Sequence, residues 1–158
     1  MTVKIRLSKK IRGGIKVFES IDQKFINNVV ERGLEVGIDE DKSFIVDLTD
    51  YLKIISVGDI EYILVEECIQ YELLNDDRCE IFFGREEEYE EKERQKLREL
   101  VNKKIEEVGF NQYGELFLDL RDANIDLDAF QIVDTIRKMG FGCKRSAWYY
   151  TYLVSKTI

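Results

Sequence analysis

Four aspartates have the type and spacing for chemistry. Asp47 with Asp50, and Asp119 with Asp122, each close an apolar run as Asp-Leu-x-Asp. Converging carboxylates offer the hard oxygen ligands that Mg²⁺ or Mn²⁺ prefers, and such an ion would support phosphoryl or nucleotide chemistry. The chain contains no histidine. That removes the commonest general base, the Ser-His and Cys-His nucleophile pairs and the usual zinc ligand. The competing reading is structural, because an aspartate after a strand accepts local backbone N–H bonds and starts the next turn. On this preferred reading the four residues bind no cofactor and the protein leans away from being an enzyme.

The elements that carry these aspartates come in two copies. The segment Phe44-Ile45-Val46-Asp47-Leu48-Thr49-Asp50 returns 72 positions later as Leu116-Phe117-Leu118-Asp119-Leu120-Arg121-Asp122. The match runs back without a gap to Gln23-Lys24 against Gln95-Lys96, with nine identities over positions 23 to 50. Equal spacing without insertion is the mark of an internal duplication. We expect repeats at about 21–83 and 93–155, each helix, strand, helix, strand, behind an N-terminal β-hairpin at 2–18. The fold class is α/β or α+β, with sheet and helices packed as two layers in a single domain spanning 1–158.

Along the chain, Thr2 to Leu7 and Ile15 to Phe18 alternate apolar and basic residues around Gly13-Gly14, which predicts the hairpin. Ser20 and Gln23 have capping-box spacing and open a helix over 21–36 that ends near Gly37. Its stripe is Ile21, Phe25, Val29, Arg32 and Val36. A buried strand follows at 43–48. From Asp59, read as an N-cap, helical spacing of Ile60, Ile63, Leu64, Cys68, Tyr71 and Leu74 predicts a helix to Asn75. A strand at 79–83 precedes a long helix whose first turns hold Glu86, Glu87, Glu88, Glu90, Glu91 and Glu93. The second copy adds a strand at 115–120, a helix at 127–139 and one long strand at 143–155. The total is six strands and four helices.

Charge is unevenly spread. The net charge is −8, yet residues 1–20 and 137–158 each carry +5, which leaves −18 between them. Such segregation bears on partners rather than on fold. The glutamates of the long helix form a solvated face suited to a basic partner, which includes an effector complex that normally holds nucleic acid. The basic ends offer Lys9, Lys10 and Arg12 together with Lys144, Arg145 and Trp148, the mixture of cations and stacking rings that single-stranded nucleic acid needs. A chain of 158 residues with a sequence pI near 4.8 is similar in size and composition to counter-defence factors such as anti-CRISPR and anti-restriction proteins. The functional expectation is therefore an acidic protein-binding or inhibitor module. The metal-dependent phosphoryl enzyme and the direct nucleic-acid binder are the alternatives. No apolar run is long enough for a membrane span and the basic N-terminus lacks a signal-peptide core, so a cytoplasmic protein is expected. Cys68, Cys79 and Cys143 read as reduced core thiols, and exposed strand edges would allow a homodimer.

Overall fold

The structure, a computed structural model, describes residues 9–12, 15–18, 20–37, 43–83 and 87–156; for 9–12, 15–18, 87 and 88 it describes the backbone. The fold is α+β, and the chain divides into two compact units, 1–84 and 85–158. Among the described residues there are eight strands and five helices, and no helix is long and apolar enough to cross a membrane.

The first unit begins with strands β1 (Lys9–Arg12) and β2 (Ile15–Phe18), which pair antiparallel. The strand expected at Thr2 to Leu7 lies outside the described residues. Helix α1 (Ile21–Val36) starts where the cap predicts: the Ser20 hydroxyl accepts the Gln23 N–H at 3.1 Å. It buries Ile21, Phe25, Ile26, Val29, Val30 and Gly33. Arg32, assigned to the buried stripe from sequence, is exposed one step round the helix. Gly37 ends α1 at φ 103°, backbone that an L side chain rarely adopts. Strand β3 (Ser43–Asp47) and the single turn α2 (Thr49–Leu52) lead to α3 (Val57–Glu66).

The cap of α3 is Ser56, not Asp59. Its hydroxyl accepts the Asp59 N–H, and the Asp59 carboxylate accepts the Ser56 N–H, both at 3.1 Å. This reciprocal box satisfies two N-terminal donors at once. The helix then stops at Glu66, nine residues short of the expectation. Cys68 takes φ 59°, and the chain runs on as β4 (Gln70–Asn75), which turns at Asp76-Asp77 into β5 (Arg78–Phe82). Helical spacing through Tyr71 and Leu74 was fortuitous: both belong to a hairpin whose turn contains no glycine to announce it. The sheet has the order β3-β5-β4, antiparallel throughout, and α1 lies against α3 and β3.

The second unit opens with α4 (Glu87–Glu107), then β6 (Glu115–Asp119), α5 (Ala129–Lys138), β7 (Gly142–Arg145) and β8 (Thr151–Ser155). The single long strand expected at 143–155 is instead two paired strands. Residues 146–150 reverse the chain, with Tyr150 at φ 54° and the Ser146 N–H donating to the Thr151 carbonyl at 2.7 Å. The sheet order β6-β8-β7 is antiparallel and repeats that of the first unit. Boundaries repeat as well: β3 and β6 lie 72 positions apart, as do α3 and α5, while β8 follows β5 by 73. In this unit Leu116, Leu118, Phe130, Ile132, Val133, Ile136, Tyr152 and Val154 form the core. Full burial of an aliphatic or aromatic side chain contributes about 1.5–3 kcal/mol each, so this cluster supplies most of the unit's drive to fold. Burial also pushes the Cys79 thiol up to about 11 and the Cys143 thiol up to about 12. Cys68, expected in a core, is exposed.

Candidate functional site

The strand-end aspartates act first on their own backbone. Asp47 Oδ1 accepts the Thr49 N–H at 2.9 Å and the Thr49 hydroxyl at 2.6 Å. Asp119 Oδ1 accepts the Arg121 N–H at 3.0 Å, and its Oδ2 meets the Arg121 guanidinium at 2.6 Å. These bonds hold both carboxyls below the usual range, Asp119 down to about 2, with the Arg121 side chain the largest cause. Asp50 pairs with Lys53 at 3.3 Å on the surface, and Asp122 is exposed in the turn that follows β6. Asp47 and Asp50 line one cleft of about 690 Å³ in the first unit, with Lys24, Asn28, Thr49 and Tyr51. Among the described residues no group of three or more carboxylate or thiol side chains is arranged to hold a metal ion.

The acidic start of α4 is not one solvated face. Glu86 lies outside the described residues, as do the side chains of Glu87 and Glu88. Glu91 is exposed and pairs with Arg98. Glu90 and Glu93 point inward, 7% and 3% exposed. Glu90 Oε2 accepts from Arg94 Nε at 2.9 Å, and its Oε1 accepts from the Gln131 amide at 2.9 Å. Arg94 Nη1 reaches Asp134 at 2.9 Å and the Thr135 hydroxyl at 2.7 Å, so one buried guanidinium joins α4 to α5. Burial works against this cation, and the Glu90 and Asp134 carboxylates more than compensate, raising its pKa. Glu93 receives the Asp126 N–H at 2.8 Å and Lys96 at 2.7 Å, which lower its pKa, Lys96 foremost.

Asp128 completes this region as the N-cap of α5. It accepts the Gln131 N–H at 2.9 Å, and the Gln131 side chain accepts the Asp128 N–H at 2.8 Å. Burial pushes its carboxyl up to about 7, and the neighbouring Glu90 charge adds to the rise. The arrangement binds helix to helix.

The basic ends fare differently from one another. Lys9, Lys10 and Arg12 lie on β1, their side chains outside the described set. Lys144 is half-buried, in register with Leu153 and Phe117 across the sheet, while Arg145 is buried at 4% exposure on the opposite face. Trp148 is 59% exposed beside the exposed Tyr149 at the tip of the β7–β8 turn. The structure therefore does not place Lys144, Arg145 and Trp148 on one surface.

A further surface escaped the sequence reading. In the first unit α3 exposes Tyr62 at 64% and Val65 at 59%, and β4 beside it exposes Glu72, Leu73, Leu74 and Asn75. A signal was present. Tyr62 and Val65 lie three apart, off the stripe of Ile60, Ile63 and Leu64, so α3 is apolar on more than its core side. Compared with protein-family models, with curated proteins and with solved structures, the chain matches none.

Proposed function

We propose that the protein is a binding module whose acid-rich first unit engages a basic protein that handles nucleic acid, and so antagonises it in the manner of anti-CRISPR or anti-restriction factors. One observation carries this reading: residues 20–83 hold five Lys/Arg against sixteen Asp/Glu, a balance of −11. Of these acids Glu31, Glu35, Asp47, Asp50, Glu72, Asp76 and Asp77 are exposed. The net acidic charge available to a partner is thus greatest on this unit, although Glu91, Glu99, Glu106 and Glu107 of α4 are also exposed. A rigid field of carboxylates raises encounter rates with a cationic channel and competes there with phosphates. The common strand order and the recurring 72-residue spacing support an origin by duplication, each unit being a sheet with helices on one face. The test is competition: anisotropy of labelled duplex DNA bound to Cas effector complexes and restriction endonucleases should fall as the protein is added, less so at high salt. A panel in which no DNA is displaced at low salt counts against the reading.

A second reading draws on the cleft lined by Asp47 and Asp50, a pair of carboxylates for Mg²⁺ or Mn²⁺. Calorimetric titration with Mn²⁺ should give a saturable site that Asp50→Asn removes; heats of dilution alone would dispose of it.

A further inference from the structure

The two units differ at one edge. In each sheet the second strand lies outermost, β4 in the first and β7 in the second. In β7, Gly142, Cys143 and Arg145 are buried, and α5 packs against the strand. In β4, only Tyr71 is half-buried; Gln70, Glu72, Leu73, Leu74 and Asn75 are exposed. The Tyr71 hydroxyl donates to Glu61 on α3 at 2.9 Å, which fixes the strand against the helix while leaving its outer edge open. Among the described residues β4 pairs with β5 alone. An open edge carries unpaired backbone donors and acceptors and is a template for a further strand.

Charge decides what kind of strand. Glu72 stands directly opposite Glu80 of β5, and Glu80 is opposite Ile45 of β3. Like charges in register across a sheet repel. The matching row of the second unit is Lys144, Leu153 and Phe117, with no such pair. Asp76 and Asp77, both exposed, add two carboxylates at the end of the edge. The exposed Tyr62 and Val65 of α3 lie on the helix that packs beside it. Pairing β4 with β4 of a second copy would multiply the acidic repulsion, so a self-pair is the wrong occupant. The register shift at Leu74 interrupts the ladder and is a known guard against edge-to-edge association, leaving 70–73 as the usable stretch.

We infer that the edge of β4, flanked by Tyr62 and Val65 of α3, receives an extended segment of a partner protein in which basic and apolar residues alternate. The segment adds as a fourth strand, its basic residues beside Glu72 and its apolar residues toward α3. This inference rests on the proposed acidic-surface function and specifies its contact.

The probe is a short synthetic peptide alternating lysine and valine, blocked at both ends, with two companions: the same peptide N-methylated at alternate residues and one alternating glutamate and valine. Titration followed by NMR should shift and protect the amides of 70–73 and leave those of 142–145 unchanged. Tyr62→Ala with Val65→Ala, and separately Glu72→Lys, should each weaken binding about tenfold. Both lie on the surface, so their circular dichroism and melting should match those of the unaltered chain. N-methylation should abolish binding because it removes donors from the ladder. Equal binding of the N-methylated peptide overturns strand addition but leaves the acidic-surface function standing. Failure of the lysine peptide at low salt overturns the β4 contact, while the acidic-surface function stands or falls separately by the DNA competition; equal binding of the glutamate peptide overturns the assignment of a basic partner.

Discussion

Asp128 predicts an unusual pH dependence that a single conservative substitution can isolate. Its carboxyl sits at the start of α5 against Glu90, and burial raises it from 3.8 to about 7. The folded state therefore holds a proton that the unfolded chain releases. Stability from this group is fully present below pH 3.8 and is lost as pH rises through 7. A shift of about three units at 1.36 kcal/mol each gives a ceiling of roughly 4 kcal/mol. Partial exposure of the side chain reduces the expected effect to about 2 kcal/mol. The background is favourable, since the chain has no histidine to titrate in the same window. The lowered carboxyls Asp47, Asp59, Glu93 and Asp119 act in the opposite sense, losing their contribution as pH falls below the usual carboxylate range. In Asp128→Asn the cap acceptor is retained while the ionisation is removed. Urea unfolding followed by fluorescence of Trp148, the chain's one tryptophan and part of the same unit, should show the unaltered protein losing about 1 kcal/mol between pH 5 and 8, the remainder of the effect falling between pH 3.8 and 5. Asp128→Asn should be flat over that range and the more stable at pH 8. Parallel curves for the two proteins would refute the burial argument, because the slope would then arise elsewhere.

Arg94→Met should destabilise the second unit by about 3 kcal/mol in the same urea assay, because the buried Glu90 loses its cation while the half-buried Asp134 keeps only Lys138 at 3.0 Å; a loss below 1 kcal/mol would mean that water replaces the guanidinium. Ser56→Ala should cost about 1 kcal/mol through loss of one half of the α3 capping box, read as earlier amide exchange over 57–60. Trp148→Ala should change stability by no more than about 0.5 kcal/mol, its side chain being exposed at a turn. In an electrophoretic shift with single-stranded DNA or RNA at low salt, the same variant tests the nucleic-acid alternative: binding that is present and unaffected by the change would exclude stacking on this ring.

Some elements were legible because their signals are local. Ser20 and Gly37 bracket α1, and the bounds 21–36 follow from the cap and the C-terminal glycine. The apolar runs closed by aspartate became β3 and β6, and the aspartates bind the N–H two residues on, as their turn-forming reading requires. Other elements were hidden because a competing local pattern won. The chain over 60–74 keeps a helical spacing of apolar residues, yet from Gln70 it pairs with β5 through a turn of two aspartates. Trp148 and Tyr149 read as strand residues by type, but they occupy a reversal. The exposed edge of β4 was invisible for a related reason: exposure depends on which strand ends up outermost and on how far the neighbouring helix covers it.

Charge shows the division most clearly. The sequence by itself determined how much acid the chain carries, where it concentrates along the chain, that Ser20 and Gly37 bracket α1, and that histidine-dependent chemistry is absent. These are properties of composition and of residues within one or two helical turns. Only the tertiary structure decided which glutamates face a partner. Glu90, Glu91 and Glu93 are near neighbours on one helix, but Glu90 meets Gln131 from 41 positions away and Glu93 meets the Asp126 N–H from 33, while Glu91 stays in water. A carboxylate can be buried only when such distant donors satisfy it, and no local spacing reveals where those donors will arrive.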